Sequence, residues 1–310
     1  MRVMITGGAG FIGSHLCDRL LADGGEVICV DNLVTGSRAN VAHLVDDDRF
    51  EFYEQDVTVP IEVNGHVDFV LHFASPASPI QFDDLSLEIM AVNSKGTEQA
   101  LEVAKHNDAG FLVASTSETY GDPKVHPQTE DYWGNVNPVG IRSVYDESKR
   151  FGEAITMAYH REFGLNTHIV RIFNTYGPRM RADDGRAVPA FINQALANED
   201  VTIFGDGSQT RSFQYITDLV DGVVRLMATD EPTPVNLGNP AEEHSVKTLA
   251  ETIIRLTNST SKLTTGPLPP DDPKIRRPSM NKALRVLSWE PKIDLETGLT
   301  STIKYFQEEA

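Results

Sequence analysis

Tyr145 and Lys149 stand four residues apart in a stretch of helical periodicity, which puts a phenol and an ammonium on one helix face. The ammonium favours the ionised phenol. A phenol biased in that way can take the proton of a secondary alcohol as a hydride leaves the same carbon. On its own the pair is an ordinary i,i+4 pairing. Its meaning changes with the run Thr6-Gly7-Gly8-Ala9-Gly10-Phe11-Ile12-Gly13, which has the spacing Gly7-x-x-Gly10-x-x-Gly13. Glycines there let the backbone approach a dinucleotide pyrophosphate, and the amides opening the next helix, those of Phe11 and Ile12 among them, point at it. Asp31 follows at roughly 20 residues, where a carboxylate accepts hydrogen bonds from the adenosine ribose and repels a 2′-phosphate. That favours NAD over NADP. Arg38 lies nearby and would soften the preference.

These groups need a sheet to hold them. Alternation and apolar runs predict strands at Arg2–Thr6, Glu26–Asp31, Phe50–Asp56, Val67–Phe73, Phe111–Ser115 and Thr167–Phe173. Helices are expected at Phe11–Ala22, Leu85–His106 and Tyr145–Phe163, the last closed by Gly164. Strands alternating with helices make an α/β protein with a Rossmann-type, doubly wound parallel sheet, and such sheets bind ligands outside the carboxyl ends of their strands. After Phe173 the pattern loosens. Asp218–Ala228 reads as a helix capped by Thr217, and Ser245–Thr257 as one capped by Ser245. Thr264–Pro278 carries five prolines and reads as an extended loop. Residues 1–173 and about 213–228 are expected to form the NAD-binding domain. Residues about 174–212 and 229–310 are expected to form a smaller, mixed α/β C-terminal substrate lobe.

Length and charge set further bounds. The chain has 310 residues and a formal net charge of -18. A field of that sign repels nucleic acid and anionic membranes, so neither is expected as a partner, and an anionic substrate requires a local basic pocket. The cysteines are Cys17 and Cys29, and no Cys/His cluster has metal-ligand spacing, so no metal is expected. The first strand begins at Arg2, which leaves no room for a targeting segment, and no apolar run is long enough to span a bilayer. A cytoplasmic protein is expected.

The segment Ser115-Thr116-Ser117-Glu118-Thr119-Tyr120-Gly121-Asp122-Pro123 leaves the fifth strand at its carboxyl end. Upstream stands His72-Phe73-Ala74-Ser75-Pro76-Ala77-Ser78-Pro79. Downstream come Tyr145-Asp146-Glu147-Ser148-Lys149-Arg150, Arg171-Ile172-Phe173-Asn174-Thr175-Tyr176-Gly177-Pro178-Arg179-Met180, Asp184-Gly185-Arg186 and Gln209-Thr210-Arg211-Ser212-Phe213. Asp271-Asp272-Pro273 and Arg276-Arg277-Pro278 lie near the end. In order and spacing, over essentially the whole chain, this set resembles the UDP-glucuronate decarboxylases (UDP-xylose synthases) of the extended short-chain dehydrogenase/reductase superfamily.

The resemblance implies a tightly held NAD and a UDP-sugar substrate, with conversion of UDP-glucuronate to UDP-xylose and CO2 through a 4-keto sugar. It makes Tyr145 the redox acid/base and Lys149 its partner at the nicotinamide ribose. Thr116 would hydrogen-bond the C4 oxygen. Ser117 and Glu118 would contact the acid end of the sugar, Glu118 as proton acceptor, and Arg276 would serve the decarboxylation. Gly7, Gly10, Phe11, Ile12, Gly13, Asp31, Asn32, Asp56, Val57 and Ala74 would hold the cofactor. Ala77 would touch the substrate, and Arg142, Asn174, Arg186 and Arg211 would take its UDP end. Relatives commonly form homodimers through the helices around Leu85–His106 and Tyr145–Phe163.

Two positions depart from the pattern: Phe82 stands where the family usually has tyrosine, and Ser148 where it usually has glycine. Three other readings remain. An NDP-sugar 4,6-dehydratase places an aspartic acid where Ser117 stands. A 4-epimerase has no use for Glu118 and Arg276 together. A non-catalytic NAD(H) sensor on the same fold typically lacks the tyrosine or the lysine.

Overall fold

A computed structural model describes residues 1–268, 273 and 275–309. Asp271 and Asp272 of the Asp-Asp-Pro motif lie outside the described residues. Strands β1 (Arg2–Thr6), β2 (Glu26–Asp31), β3 (Phe50–Glu54), β4 (Phe69–His72), β5 (Gly110–Thr116) and β6 (Thr167–Ile172) pair in the order β6-β5-β4-β1-β2-β3, all parallel. A short strand, Val235–Leu237, completes the edge beside β6. The chain winds one way from β1 to β3 and the other way from β4 onward, so a crevice opens at the carboxyl ends of β1 and β4.

Alternation along each strand splits the core in two. Val3, Ile5, Cys29, Leu71, Leu112 and Val170 point to one face, against helices α1 (Phe11–Ala22) and α6 (Ile216–Met227). The buried stripes Leu16, Leu20 and Ile216, Leu219, Val220, Val223, Leu226 face them with helical spacing. Met4, Ile28, Val70, Val113 and Ile169 point the other way, toward α3 (Thr97–Asn107) and α4 (Ser143–Phe163). A separate apolar cluster joins α5 (Ala187–Leu196) to the helices Val246–Leu256 and Leu295–Glu309, under the paired strands Val201–Phe204 and Leu263–Gly266. Next to it Glu243–Ser245, Thr210–Ser212 and Ile275–Arg276 form a three-stranded sheet, in which Arg211 and Arg276 stand side by side in register.

The expected helix Leu85–His106 is broken. α2 (Ser86–Ala91) passes through a widened turn at Val92–Gly96 before α3. Within that turn the buried carboxamide of Asn93 donates to Ser75 Oγ and to Ser148 Oγ, both at 3.1 Å, which ties a cavity wall to α4. The Thr217 cap is also corrected. α6 starts at Ile216 without a side-chain cap, and Asp218 instead accepts the amides of Lys292 and Ile293. Ser245 does cap its helix, accepting Thr248 N–H at 3.0 Å. The proline-rich run holds parts of two short strands because each finds a parallel partner. The sheet draws its edge strand, Val235–Leu237, from beyond the 213–228 segment expected to return to it.

Candidate active site

One continuous cavity of about 950 Å³ runs from the β1–β4 crevice to the smaller lobe, and every residue singled out for cofactor, catalysis or substrate lines it. Its first part is a dinucleotide cradle. Gly7 has φ 71°, and a Cβ on it would sit 2.7 Å from the Ala74 backbone. A Cβ on Gly13 would lie 2.1 Å from the Gly7 carbonyl oxygen. α1 then opens at Phe11 with no side-chain cap and no acidic residue in its first turn, which leaves its first amides for an anion. Asp31 Oδ2 accepts Ala9 N–H at 3.0 Å and Oδ1 accepts Leu33 N–H at 2.8 Å, so the carboxylate also braces the glycine turn. Burial raises its pKa, and those two amides pull it back. Asn32, Asp56, Val57 and Ala74 complete this wall. The donors and the space fit NAD. Arg38, expected to soften the choice of cofactor, turns away: it pairs with Glu54 at 2.5 Å and stacks over Phe52 at 4.6 Å.

Tyr145 and Lys149 follow along α4. Lys149 Nζ donates to the Ala114 carbonyl at 2.9 Å, and burial brings its pKa down to about 7. Tyr145 is buried. Desolvation pushes its phenol up, and Glu118 adds to the rise, against a hydrogen bond with Thr116 and the charge of Arg186. Thr116 Oγ1 also accepts Glu118 N–H at 3.2 Å, and this fixes the short turn Ser117–Tyr120 at the end of β5. Ser148 Oγ donates to the Tyr145 carbonyl at 3.0 Å while accepting from Asn93. Asn93, Ser75 and Phe82 are structural partners that spacing alone does not reveal; a buried asparagine in a helical run is the one hint the chain offers.

At the far side of Tyr145 a charge cluster forms. Arg276, 2% exposed, forks onto Glu118, with Nη2 donating to Oε2 at 3.0 Å and Nη1 to Oε1. Arg142 Nη2 donates to Glu118 Oε2 at 2.5 Å. Burial alone would raise the Glu118 pKa, but the charges and hydrogen bonds of Arg276 and Arg142 hold it well below the usual carboxylate range. Arg142, expected at the UDP end, stands against Glu118 and over the Phe82 ring at 5.7 Å. Ala77 and Ser117 line this region. Toward the smaller lobe, Asn174 presents a buried Oδ1 with no hydrogen-bond partner. There Arg186 pairs with Asp184 through Nε at 2.5 Å and Nη2 at 2.7 Å, while Arg211 Nη1 donates to the Thr210 carbonyl at 2.8 Å. With Arg179 and Arg181, six arginines line this cavity and make a local cationic seat in a chain of net charge -18. Among the described residues no group of three or more His, Cys, Asp or Glu is placed to hold a metal.

Residues 3–238 match the NAD dependent epimerase/dehydratase family. The chain belongs to that family. It is 49% identical over 308 residues to UDP-glucuronic acid decarboxylase 1 of Danio rerio, covering 99% of this chain and 73% of the relative. It is 50% identical over 300 residues to UDP-glucuronic acid decarboxylase 6 of Arabidopsis thaliana, covering 96% and 87%. Among solved structures of the epimerase/dehydratase fold, UDP-glucuronic acid 4-epimerase from Bacillus cereus, in complex with UDP-glucuronic acid and NAD, aligns with a TM-score of 0.89. That match has 30% identity and covers 100% of both chains. Family membership accounts for the glycine turn, the Tyr145–Lys149 pair and the sheet order together.

Proposed function

We infer that this chain decarboxylates UDP-glucuronate to UDP-xylose and CO2, with NAD as its resident cofactor. The observation that carries the reading is Arg276, buried and forked onto Glu118, standing beside the Tyr145–Lys149 pair. The identity to UDP-glucuronic acid decarboxylases over nearly the full chain supports it.

Gly7, Gly10, Phe11, Ile12 and Gly13 would hold the NAD pyrophosphate, Asp31 and Asn32 its adenosine ribose, and Asp56, Val57 and Ala74 the adjoining walls. NAD, when bound, would supply the hydride acceptor for C4 of the sugar and the donor that restores it. Tyr145 takes the C4 hydroxyl proton, with Thr116 holding the phenol and Lys149 lowering the cost of its anion. The resulting ketone lies beta to the C6 carboxylate. The C5–C6 bond then breaks, its electron pair passes into the C4 carbonyl as an enolate, and CO2 leaves. Arg276 remains charged throughout; it orients the carboxylate and stabilises the enolate. Glu118, a weak base in this state, aligns both guanidiniums. C5 then takes a proton from water, and Tyr145 returns its own to the C4 oxygen. Asn174, Arg186 and Arg211 take the UDP end.

Incubation with NAD and 13C-labelled UDP-glucuronate, followed by NMR, tests the reading. Equal amounts of CO2 and UDP-xylose are expected. UDP-galacturonate without CO2 would make the chain an epimerase, and a deoxy sugar a dehydratase. Bound NAD with no turnover would make it a sensor.

A second copy of the chain is the partner proposed for the face made by α2 and α4, where Leu87, Met90 and Phe151 are exposed by 76%, 44% and 47%. Light scattering should give the mass of a dimer, and Phe151→Asp the mass of a monomer. A cytoplasmic setting suits two free, buried thiols. Among the described residues no helix is long and apolar enough to cross a membrane.

A further inference from the structure

Glu118 and Arg276 reach each other from distant parts of the chain. Glu118 lies in the short turn Ser117–Tyr120, and Arg276 on the strand Ile275–Arg276 of the smaller lobe. That strand pairs with Thr210–Ser212 inside its own lobe, which does not fix its distance from Glu118. Two fully buried carboxamides, Gln128 and Asn236, join the backbones that carry the pair. Neither lines the cavity.

Gln128 belongs to the run His126-Pro127-Gln128, on the connection from the Glu118 turn to α4. Its N–H donates to the Arg277 carbonyl and its carbonyl accepts Ser279 N–H, both at 2.8 Å. Its side chain adds a further link, with Oε1 accepting Arg277 N–H at 2.8 Å, while Nε2 donates to the Val125 carbonyl at 2.8 Å. One residue thus holds Arg277 by both its N–H and its carbonyl, and Arg276 directly precedes it. Asn236 closes the path to Glu118. Its Nδ2 donates to the Gln128 carbonyl at 3.1 Å, and its Oδ1 accepts the Tyr120 hydroxyl at 2.8 Å. Tyr120 is the last residue of the turn that holds Glu118. A buried network whose members are bonded at both ends fixes geometry as well as energy.

We propose that Gln128 and Asn236 are positioning residues for cleavage of the C5–C6 bond. Through Arg277 on one side and Tyr120 on the other, they hold the Arg276 guanidinium where it can take the acid group of the sugar. Tyr145 and Lys149 are seated by other contacts, Ser148 with Asn93 and Lys149 with the Ala114 carbonyl, so oxidation at C4 does not depend on this link. A displacement of about 1 Å at a reacting group can cost about 10²-fold in rate. The proposal rests on the decarboxylase reading.

Rapid mixing of the NAD-loaded full chain with UDP-glucuronate tests it. The absorbance of reduced nicotinamide reports oxidation at C4, and trapped CO2 reports bond cleavage. Gln128→Met keeps the length of the side chain and removes its two hydrogen bonds. It should slow CO2 release about tenfold and change nicotinamide reduction less than about twofold, so that the reduced cofactor accumulates. Tyr120→Phe, which cuts the link at its other end, should give the same split. In an Arg276→Lys background, Gln128→Met should add less than about twofold to the loss, because both changes act on one group. Both steps slowed equally, CO2 release at the parent rate, or full multiplication of the two single losses overturns the proposal. If Gln128→Met does not fold, Tyr120→Phe decides alone. A parent chain that releases no CO2 strikes the functional reading, and the proposal with it, before any variant enters the comparison.

Discussion

The ring of Phe82 lies against that of Tyr145, with centroids 5.3 Å apart and planes 17° apart. Phe82 is buried and packs with Ile89 and Tyr145 in a small cluster of its own. A tyrosine is usual at this position in the decarboxylase family, and the hydroxyl is what this chain lacks. The ring itself is retained, stacked on the phenol proposed as the acid/base. An aromatic pair of this kind contributes about 0.5–1.5 kcal/mol beyond burial. Phe82→Leu is therefore expected to lower kcat about threefold to tenfold, while Phe82→Tyr keeps kcat within about twofold. Steady-state kinetics with UDP-glucuronate would check this, and a Phe82→Leu enzyme with the parent kcat would refute a role for the stacked ring in the chemistry.

Tyr145→Phe should bind NAD as the parent does and lose about 10²–10⁴-fold in CO2 release. The ring and its contact with Phe82 survive the change; the proton carrier does not. A loss under tenfold would mean that another group takes the C4 proton.

Ser148 joins Asn93 to the backbone of α4, with hydrogen bonds of 3.1 Å and 3.0 Å. Restoring the family's usual glycine removes both bonds and adds the cost of glycine inside a helix. Ser148→Gly is expected to destabilise the fold by about 1–2 kcal/mol, with activity retained at low temperature. Urea denaturation would measure the difference, and an unchanged midpoint would show that the link carries no stability.

Lys149 supplies a pH signature. Its pKa is depressed from the ordinary lysine value to about 7 by burial, so between about 7 and 10 the unfolded chain binds more protons than the folded one. Stability from this group therefore rises with pH across that window. Lys149→Met should show a flatter dependence than the parent between pH 7 and pH 9. Matching slopes in urea titrations would place the Lys149 titration elsewhere.

The parts of the site that were legible in the sequence are those whose chemistry demands fixed residue types at fixed local spacing. Gly7, Gly10 and Gly13 are required by backbone approach alone, and Tyr145 and Lys149 by one helical turn. Asp31 was legible as a candidate ribose ligand, whereas its bracing of Ala9 depends on how the β2 loop folds back. Arg276 lies 158 residues from Glu118, and no local pattern encodes such a pair; only the family resemblance reached it. The widened turn at Val92–Gly96 is set by the tertiary partners of Asn93. Val235–Leu237 is three residues long, too short for a period to declare itself. That Arg142 pairs with Glu118 was not legible either, because a cation's type says nothing about which anion it meets.

The account turns on a transient oxidation at C4 that frees the neighbouring carboxylate. Turnover of UDP-glucuronate carrying deuterium at C4 tests this most directly, with the product analysed by NMR and CO2 measured alongside. The account predicts UDP-xylose that keeps the deuterium at C4, one CO2 per UDP-xylose, and a slower reaction than with the unlabelled sugar. CO2 release at an unchanged rate, with the label lost to solvent, would contradict it.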